Sequence, residues 1–484
     1  MAQNESVIIR DDFLWGGAFS CAQLEGGWDK GHRGETVYDY LPVGKERYSW
    51  FLENKHLDHP DTFYPNRAGI DFYSNYKNDL KMLADLGLRA LRISIAWSRI
   101  YPTGEETEPN HEGLSFYANV IDEMLKNNIE PVVTLLHYDI PIYLVEKYNG
   151  FEGRELVDLF EKYAITLFKN FGKKVKYWMT INEINIIRHC PLDAGLKTLG
   201  ENNLQTIFQA AHHQFLASAK AVIAFKKMNL GGTIGMMLGY EPVYPKTCKP
   251  EDILLAEKIE NELLFFSDVQ VLGYYTEPMK CYFKRNNIFI TEEDGDSFIL
   301  ENGKVDYIAL SYYSSVVCSS DPDDSNKTKR GNIIYGIDNP YLSSTDWGWT
   351  IDEIGLQTSL IRLYNRYHVP LFIVECGIGA REEFDGNEIN DDYRIDFYKR
   401  HITEMIQAIN YGVDIMGFLS WSPIDNPSAA TGEIEKRYGF IYVDADNYGK
   451  GTYERTKKKS FDWYRHMIKS NAQNIFRENL TEAS

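Results

Sequence analysis

The sequence predicts an α/β fold, a closed (β/α)8 TIM barrel with long βα loops. Eight short apolar runs rich in β-branched and aromatic residues recur along the chain, and a helix-period segment follows each of them. Two of the runs end in a glutamate, at the strand end where barrel enzymes place their chemistry. A chain of 484 residues is long for one domain, but α/β barrels reach this size. No Pro/Gly/Ser-rich linker divides it, so residues 1–484 read as one catalytic barrel domain.

The strand-like runs are residues 13–19, 90–97, 131–137, 175–181, 233–239, 305–312, 370–375 and 415–421. They read as near-continuous apolar stretches, as buried parallel strands do. The helical segments are 72–86, 113–127, 154–171, 204–228, 253–272, 357–367, 391–409 and 457–468. Three polar stretches, 30–66, 241–250 and 319–349, read as long βα loops, where function concentrates.

Composition narrows the function classes. Net charge is −19, which argues against nucleic acid or an anionic membrane as partner but permits a small anion in a local basic pocket. Aromatic residues make up 14%, which suits a sugar cleft and equally a large aromatic core. Residues 1–10 lack the apolar segment of a secretory signal, and no run approaches the roughly 20 residues of a membrane span. Cys21, Cys190, Cys248, Cys281, Cys318 and Cys376 are scattered without a CxxC pair, so a reducing cytoplasm is expected. No metal motif or dinucleotide fingerprint appears, so no cofactor is expected. Homo-oligomerisation is left open.

The two glutamates are Glu183, closing Tyr177-Trp178-Met179-Thr180-Ile181-Asn182-Glu183, and Glu375, closing Pro370-Leu371-Phe372-Ile373-Val374-Glu375. A glycosidase needs such a pair: one acid to protonate a leaving oxygen, one carboxylate to attack or to activate water. A lone strand-end glutamate is as readily a rim salt bridge; two of them together point to chemistry.

Further motifs carry a resemblance. Phe13-Leu14-Trp15-Gly16-Gly17-Ala18 with Gln23 and Glu25-Gly26, Arg92 to Arg99, Leu136-His137-Tyr138-Asp139 with Pro141, and Thr180-Ile181-Asn182-Glu183 together resemble family 1 glycoside hydrolases over nearly the whole chain. Glu375-Cys376-Gly377 departs from that family's Glu-Asn-Gly. The resemblance implies a retaining enzyme with Glu375 as nucleophile and Glu183 as acid, then base. It implies that Arg92 and Tyr313 hold the nucleophile and that Asn182 bonds the sugar 2-OH. Gln23, His137, Trp349 and Trp421 would line the sugar subsite. The acid is expected to keep its proton through burial and the nearby charge of Glu375. Cys376 is expected to point away from the pocket.

The last loop bears on substrate. Ala429 and Ala430 replace the Glu-Trp pair of members acting on free sugars, and that Glu would repel a 6-phosphate. Lys436 and Tyr438 match two phosphate ligands of the 6-phospho-β-glucosidase branch, and Ala430 stands where that branch has a Ser. Ser311-Tyr312-Tyr313, Asn339-Pro340-Tyr341 and Trp347-Gly348-Trp349 also resemble that branch, and Ala430 in place of a Trp favours gluco over galacto substrates. In an extended segment Lys436 and Tyr438 face one way and Arg437 the other. The expected substrate is a 6-phospho-β-D-glucoside, a phosphorylated disaccharide or aryl glucoside. An enzyme for unphosphorylated β-glycosides, and a non-catalytic sugar-binding barrel, are the alternatives.

Overall fold

A computed structural model describes residues 9–54, 59–331, 334–384, 386 and 388–475. Most of the stretch examined for a leader, and parts of the 30–66 and 319–349 loops, lie outside them. Eight strands close a parallel barrel: β1 Leu14–Ala18, β2 Ala90–Ser94, β3 Glu130–Leu136, β4 Tyr177–Ile181, β5 Thr233–Gly239, β6 Ile308–Tyr312, β7 Leu371–Cys376 and β8 Ile415–Trp421. Neighbours in sequence are neighbours in the sheet, and β1 closes the ring against β8, pairing Leu14 with Gly417 through Ala18 with Trp421. The outer helices are α1 Phe72–Asp85, α2 His111–Lys126, α3 Glu155–Phe171, α4 Asn203–Met228, α5 Pro250–Leu272, α6 Glu353–Tyr367, α7 Asp392–Asn410 and α8 Lys459–Lys469.

The alternation of side chains along each strand divides the apolar residues into two layers. Ala90, Val132, Met179, Met237, Ala309, Phe372 and Leu419 fill the barrel interior. Their sequence neighbours Leu91, Val133, Trp178, Met236, Leu310 and Phe418 pack outward under the helices. No helix among the described residues is long and apolar enough to cross a membrane.

Strand ends differ modestly from the sequence reading. The run 90–97 is strand only to Ser94, because Trp97–Ile100 folds into one helical turn, with Trp97 stacked on Tyr163. The run 305–312 starts its strand at Ile308, since the Val305 and Asp306 N–H groups bond Gln270 O and Ile234 O instead. The polar stretches are not bare loops: Arg47–Asn54 is helical, and Val243–Pro245 pairs with Val316–Cys318.

One irregularity positions the chemistry. In β7, Ile373 pairs with Leu310 and Glu375 with Ser311, so Val374 is an extra residue, a β-bulge. Bulges re-aim side chains beside active sites. Here Val374 points inward, Cys376 packs in the outer layer, and Glu375 lines the barrel-end pocket.

Candidate active site

Glu183 and Glu375 line one pocket at the C-terminal ends of the strands. Glu183 follows β4 in the left-handed region at φ 36°, a conformation that costs a non-glycine residue about 1–3 kcal/mol. Tyr138, just after β3, is also left-handed at φ 71°. The two turns converge, for the Tyr138 hydroxyl donates to Glu183 Oε2 and the Ser311 hydroxyl to Oε1.

Glu375 has different partners. Its Oε1 accepts from Arg92 Nη1 at 2.5 Å and its Oε2 from the Tyr313 hydroxyl at 2.8 Å. Arg92 is fully buried, and its Nη2 donates to Asn182 Oδ1 at 2.5 Å. It belongs to the site and is not a barrel-bottom ion pair. Its bond to Asn182 leaves the Asn182 amide donors for the pocket.

Burial raises both carboxyls above their usual range. On Glu375 burial outweighs the Arg92 guanidinium, and the charge of Glu183 adds to it, pushing the group up to about 7. Such a pair holds one proton between its members near neutrality. Arg92 can only donate, so it favours charge on Glu375. Hydroxyls such as Ser311 and Tyr138 donate or accept and so tolerate a protonated Glu183. Glu183 is raised by burial against the pull of Ser311, Tyr138 and Arg92, and it has no bonded cation among the described residues. The sequence reading expected burial and the charge of Glu375 to raise Glu183; burial does raise it, and the repulsion between the two carboxylates acts on both.

The expected sugar residues gather around the pair. Gln23 is fixed by donating Nε2 to Pro427 O at 2.7 Å and accepting from Ser20 Oγ at 2.7 Å. His137 lies 5.8 Å from the Trp421 ring, and burial, then Arg92, hold it neutral. Its Nδ1 has no partner among the described residues. Trp349 lies 5.5 Å from Tyr313 and lines the same pocket.

Lys436 and Arg437 are both buried, so they are not a solvated surface pair. The Lys436 ammonium sits 3.7 Å over Trp349, with Trp347 and Tyr438 at 5.4 and 5.7 Å. It has no hydrogen-bond acceptor or ion-pair partner among the described residues, and burial lowers its pKa to about 7 against the opposing pull of Glu433. Gly379 permits this packing, since a Cβ there would stand 2.8 Å from Lys436 Cγ. Arg437 turns the other way, to Val443 O at 2.8 Å and Ala445 O at 2.9 Å. Glu435 is exposed and bonded to Asn447, so it does not neutralise the ammonium. Tyr438, Ser428, Ala429 and Ala430 line the same pocket as the two glutamates.

Sequence reasoning missed Tyr138 and Ser311 as the partners of Glu183, and Asn426 as a lining residue. Ser311 was findable: it lies two residues before Tyr313, on the same strand face. Tyr138 depends on a left-handed turn that no pattern announced. Cys376 is buried in the outer layer with its thiol pKa raised, leaving a neutral group away from the pocket.

Comparison with known proteins agrees with this geometry. The profile described as glycosyl hydrolase family 1 matches residues 6–473. The chain is 47% identical to aryl-phospho-beta-D-glucosidase BglH of Bacillus subtilis (strain 168), over 98% of this chain and 100% of that protein. It is 44% identical to 6-phospho-beta-glucosidase AscB of Escherichia coli (strain K12), over 97% and 99%. Among solved structures, a family 1 β-glucosidase from Thermotoga maritima superposes with a TM-score of 0.82 at 28% identity, covering 97% of this chain and 99% of that one.

Proposed function

The chain belongs to glycosyl hydrolase family 1, and from that premise we propose that it is a retaining 6-phospho-β-glucosidase. The observation that carries the substrate class is the Lys436 ammonium, buried among three aromatic rings with no acceptor of its own. A buried cation is costly unless paired. A 6-phosphate reaching that end of the pocket would supply the missing charge, and Tyr438 a hydrogen bond beside it. An unphosphorylated glucoside would leave the cation unpaired.

In this reading Glu375 attacks the anomeric carbon while Glu183 gives its proton to the leaving oxygen, breaking the glycosidic bond. A glycosyl ester on Glu375 results. Glu183, now ionised, takes a proton from water, and that water's oxygen displaces Glu375 with net retention. Arg92 and Tyr313 hold the departing carboxylate, and Asn182 contacts the sugar 2-OH. Gln23, His137, Trp421 and Trp349 shape the sugar subsite. Residues 1–484 act as one catalytic unit, and six free cysteines fit a cytoplasmic setting, where phosphorylated sugars are held.

The test compares p-nitrophenyl β-D-glucoside with its 6-phosphate. The wild-type enzyme should prefer the phosphorylated substrate. Lys436→Ala should lower the ratio of the two kcat/KM values by roughly 30-fold to 150-fold, the loss of one charge-assisted bond. A wild-type preference for the unphosphorylated glucoside would overturn the reading.

A further inference from the structure

Asn426 has no part in the chemistry above, yet its amide is placed like a ligand. It is 3% exposed and lines the pocket with Ser428 and Tyr438. Its Nδ2 has no hydrogen-bond partner among the described residues. A buried donor left unmade is destabilising, and each such group in a folded protein calls for an explanation.

Its neighbour fixes where it stands. Asp425 Oδ1 accepts from the Gly439 N–H at 2.8 Å, Oδ2 accepts from Arg437 at 3.3 Å, and the Asp425 N–H donates to Ile441 O at 2.9 Å. These bonds tie the start of the last βα loop to the segment that carries Lys436 and Tyr438. Asn426 follows directly on this tied residue and lines the pocket with Tyr438.

The two ends differ in how their donors are engaged. Around the glutamates, Arg92, Tyr313, Ser311 and Tyr138 already donate to carboxylate oxygens. At the other end, the Lys436 ammonium, the Tyr438 hydroxyl and the Asn426 amide have no acceptor among the described residues. Glu433 does not fill that gap, because its Oε2 accepts from the Trp347 indole N–H at 3.1 Å. Asn426 and Tyr438 line one pocket, and the Lys436 ammonium lies 5.7 Å from the Tyr438 ring; unengaged donors so gathered complement an oxyanion with several acceptor oxygens.

We propose that Asn426 is a specificity-determining residue, donating from Nδ2 to an oxygen of the substrate's 6-phosphate beside Lys436 and Tyr438. It supplies a neutral donor where Ala430 offers no hydroxyl. The inference rests on the 6-phospho-β-glucoside reading.

The experiment measures kcat/KM for p-nitrophenyl β-D-glucoside and its 6-phosphate with wild type, Asn426→Ala and Asn426→Asp, alongside melting temperatures. Asn426→Ala should lower the phosphorylated-to-unphosphorylated ratio roughly 10-fold, as for a hydrogen bond to a charged group. Asn426→Asp should lower it more than about 100-fold, because a carboxylate would face the phosphate. Inhibition by inorganic phosphate should weaken in the same order. If both substrates fall together, the contact is to the sugar ring or is structural, and the inference is overturned. An unchanged ratio overturns it as well. A wild-type enzyme without phosphate preference removes the functional reading and this inference together; wild-type preference with an unchanged variant ratio removes the inference alone. Should Asn426→Asp fail to fold, the Asn426→Ala ratio decides.

Discussion

In the proposed mechanism Glu183 and Glu375 share one proton, since burial disfavours two charges and the Arg92 contact favours charge on Glu375. Glu375→Gln should keep the fold and lose on the order of 10⁴-fold or more in turnover, since the covalent step is gone. Glu183→Gln should be rescued only in part by a substrate with a good leaving group, which needs no proton, since the water step still lacks its base. Near-normal turnover in Glu375→Gln would remove the double-displacement mechanism. The pH profile follows from the same pair. As pH falls, a second proton neutralises the nucleophile; as pH rises, the shared proton is lost and the acid with it. Because burial raises Glu183, the alkaline limb should lie above the ordinary carboxylate range. In Glu183→Gln that limb should vanish. The acid limb should stay near its wild-type position, because Glu183 is already neutral where Glu375 titrates and Gln keeps it so. Retention of the alkaline limb would assign it to another group.

The segment holding Lys436 and Tyr438 is anchored from behind by a buried charge network. Arg394 of α7 donates to Tyr438 O at 2.6 Å, Ile378 O at 3.0 Å and Arg437 O at 3.2 Å. It pairs with Glu382 at 2.6 Å and Asp391 at 2.9 Å, while Lys458 pairs with Glu382 at 2.6 Å and Asp425 at 3.0 Å. Glu382→Gln would leave two buried cations short of a counter-charge and should cost about 3–5 kcal/mol, read by urea unfolding. Burial opposes ionisation of Glu382, but Lys458 and then Arg394 hold it down to about 2. Its folded value lies below the unfolded one, so its stabilisation is present above the ordinary carboxylate range and lost as pH falls toward 2. The variant's deficit should therefore shrink across that window; a deficit independent of pH would rule out the ion-pair explanation. None of this network was legible in the sequence, where Arg394, Glu382 and Lys458 are ordinary charges far apart. The eight strands were legible, because burial on both faces leaves continuous apolar runs. The bulge at Val374 was not, since its cause is pairing with β6 and not local composition.

Across the whole molecule, charge and local chemistry act in opposite directions. A net charge of −19 surrounds a pocket proposed to take a dianion. That field slows the approach of phosphorylated substrate at low ionic strength, and salt screens it over a Debye length of about 10 Å at 0.1 M. The buried Lys436 contact is screened far less. Hence kcat/KM for the 6-phosphate should rise with salt from near zero to about 0.1 M, while the unphosphorylated glucoside changes little. A steady fall with salt would mean that attraction already dominates the approach.

The caged lysine has a consequence for the heat of binding. Its pKa of about 7 in the empty pocket leaves the ammonium only partly protonated at neutral pH. A phosphate dianion beside it would raise that pKa, so binding would draw a proton from solution. The buffer must release that proton and contributes its own ionisation enthalpy to the measured heat. Titration calorimetry with glucose 6-phosphate in Tris and in HEPES at pH 7 should give apparent enthalpies separated by about half a proton's worth of the buffers' difference. With Lys436→Ala the separation should largely close. If it persists in Lys436→Ala, the proton comes to rest on another group.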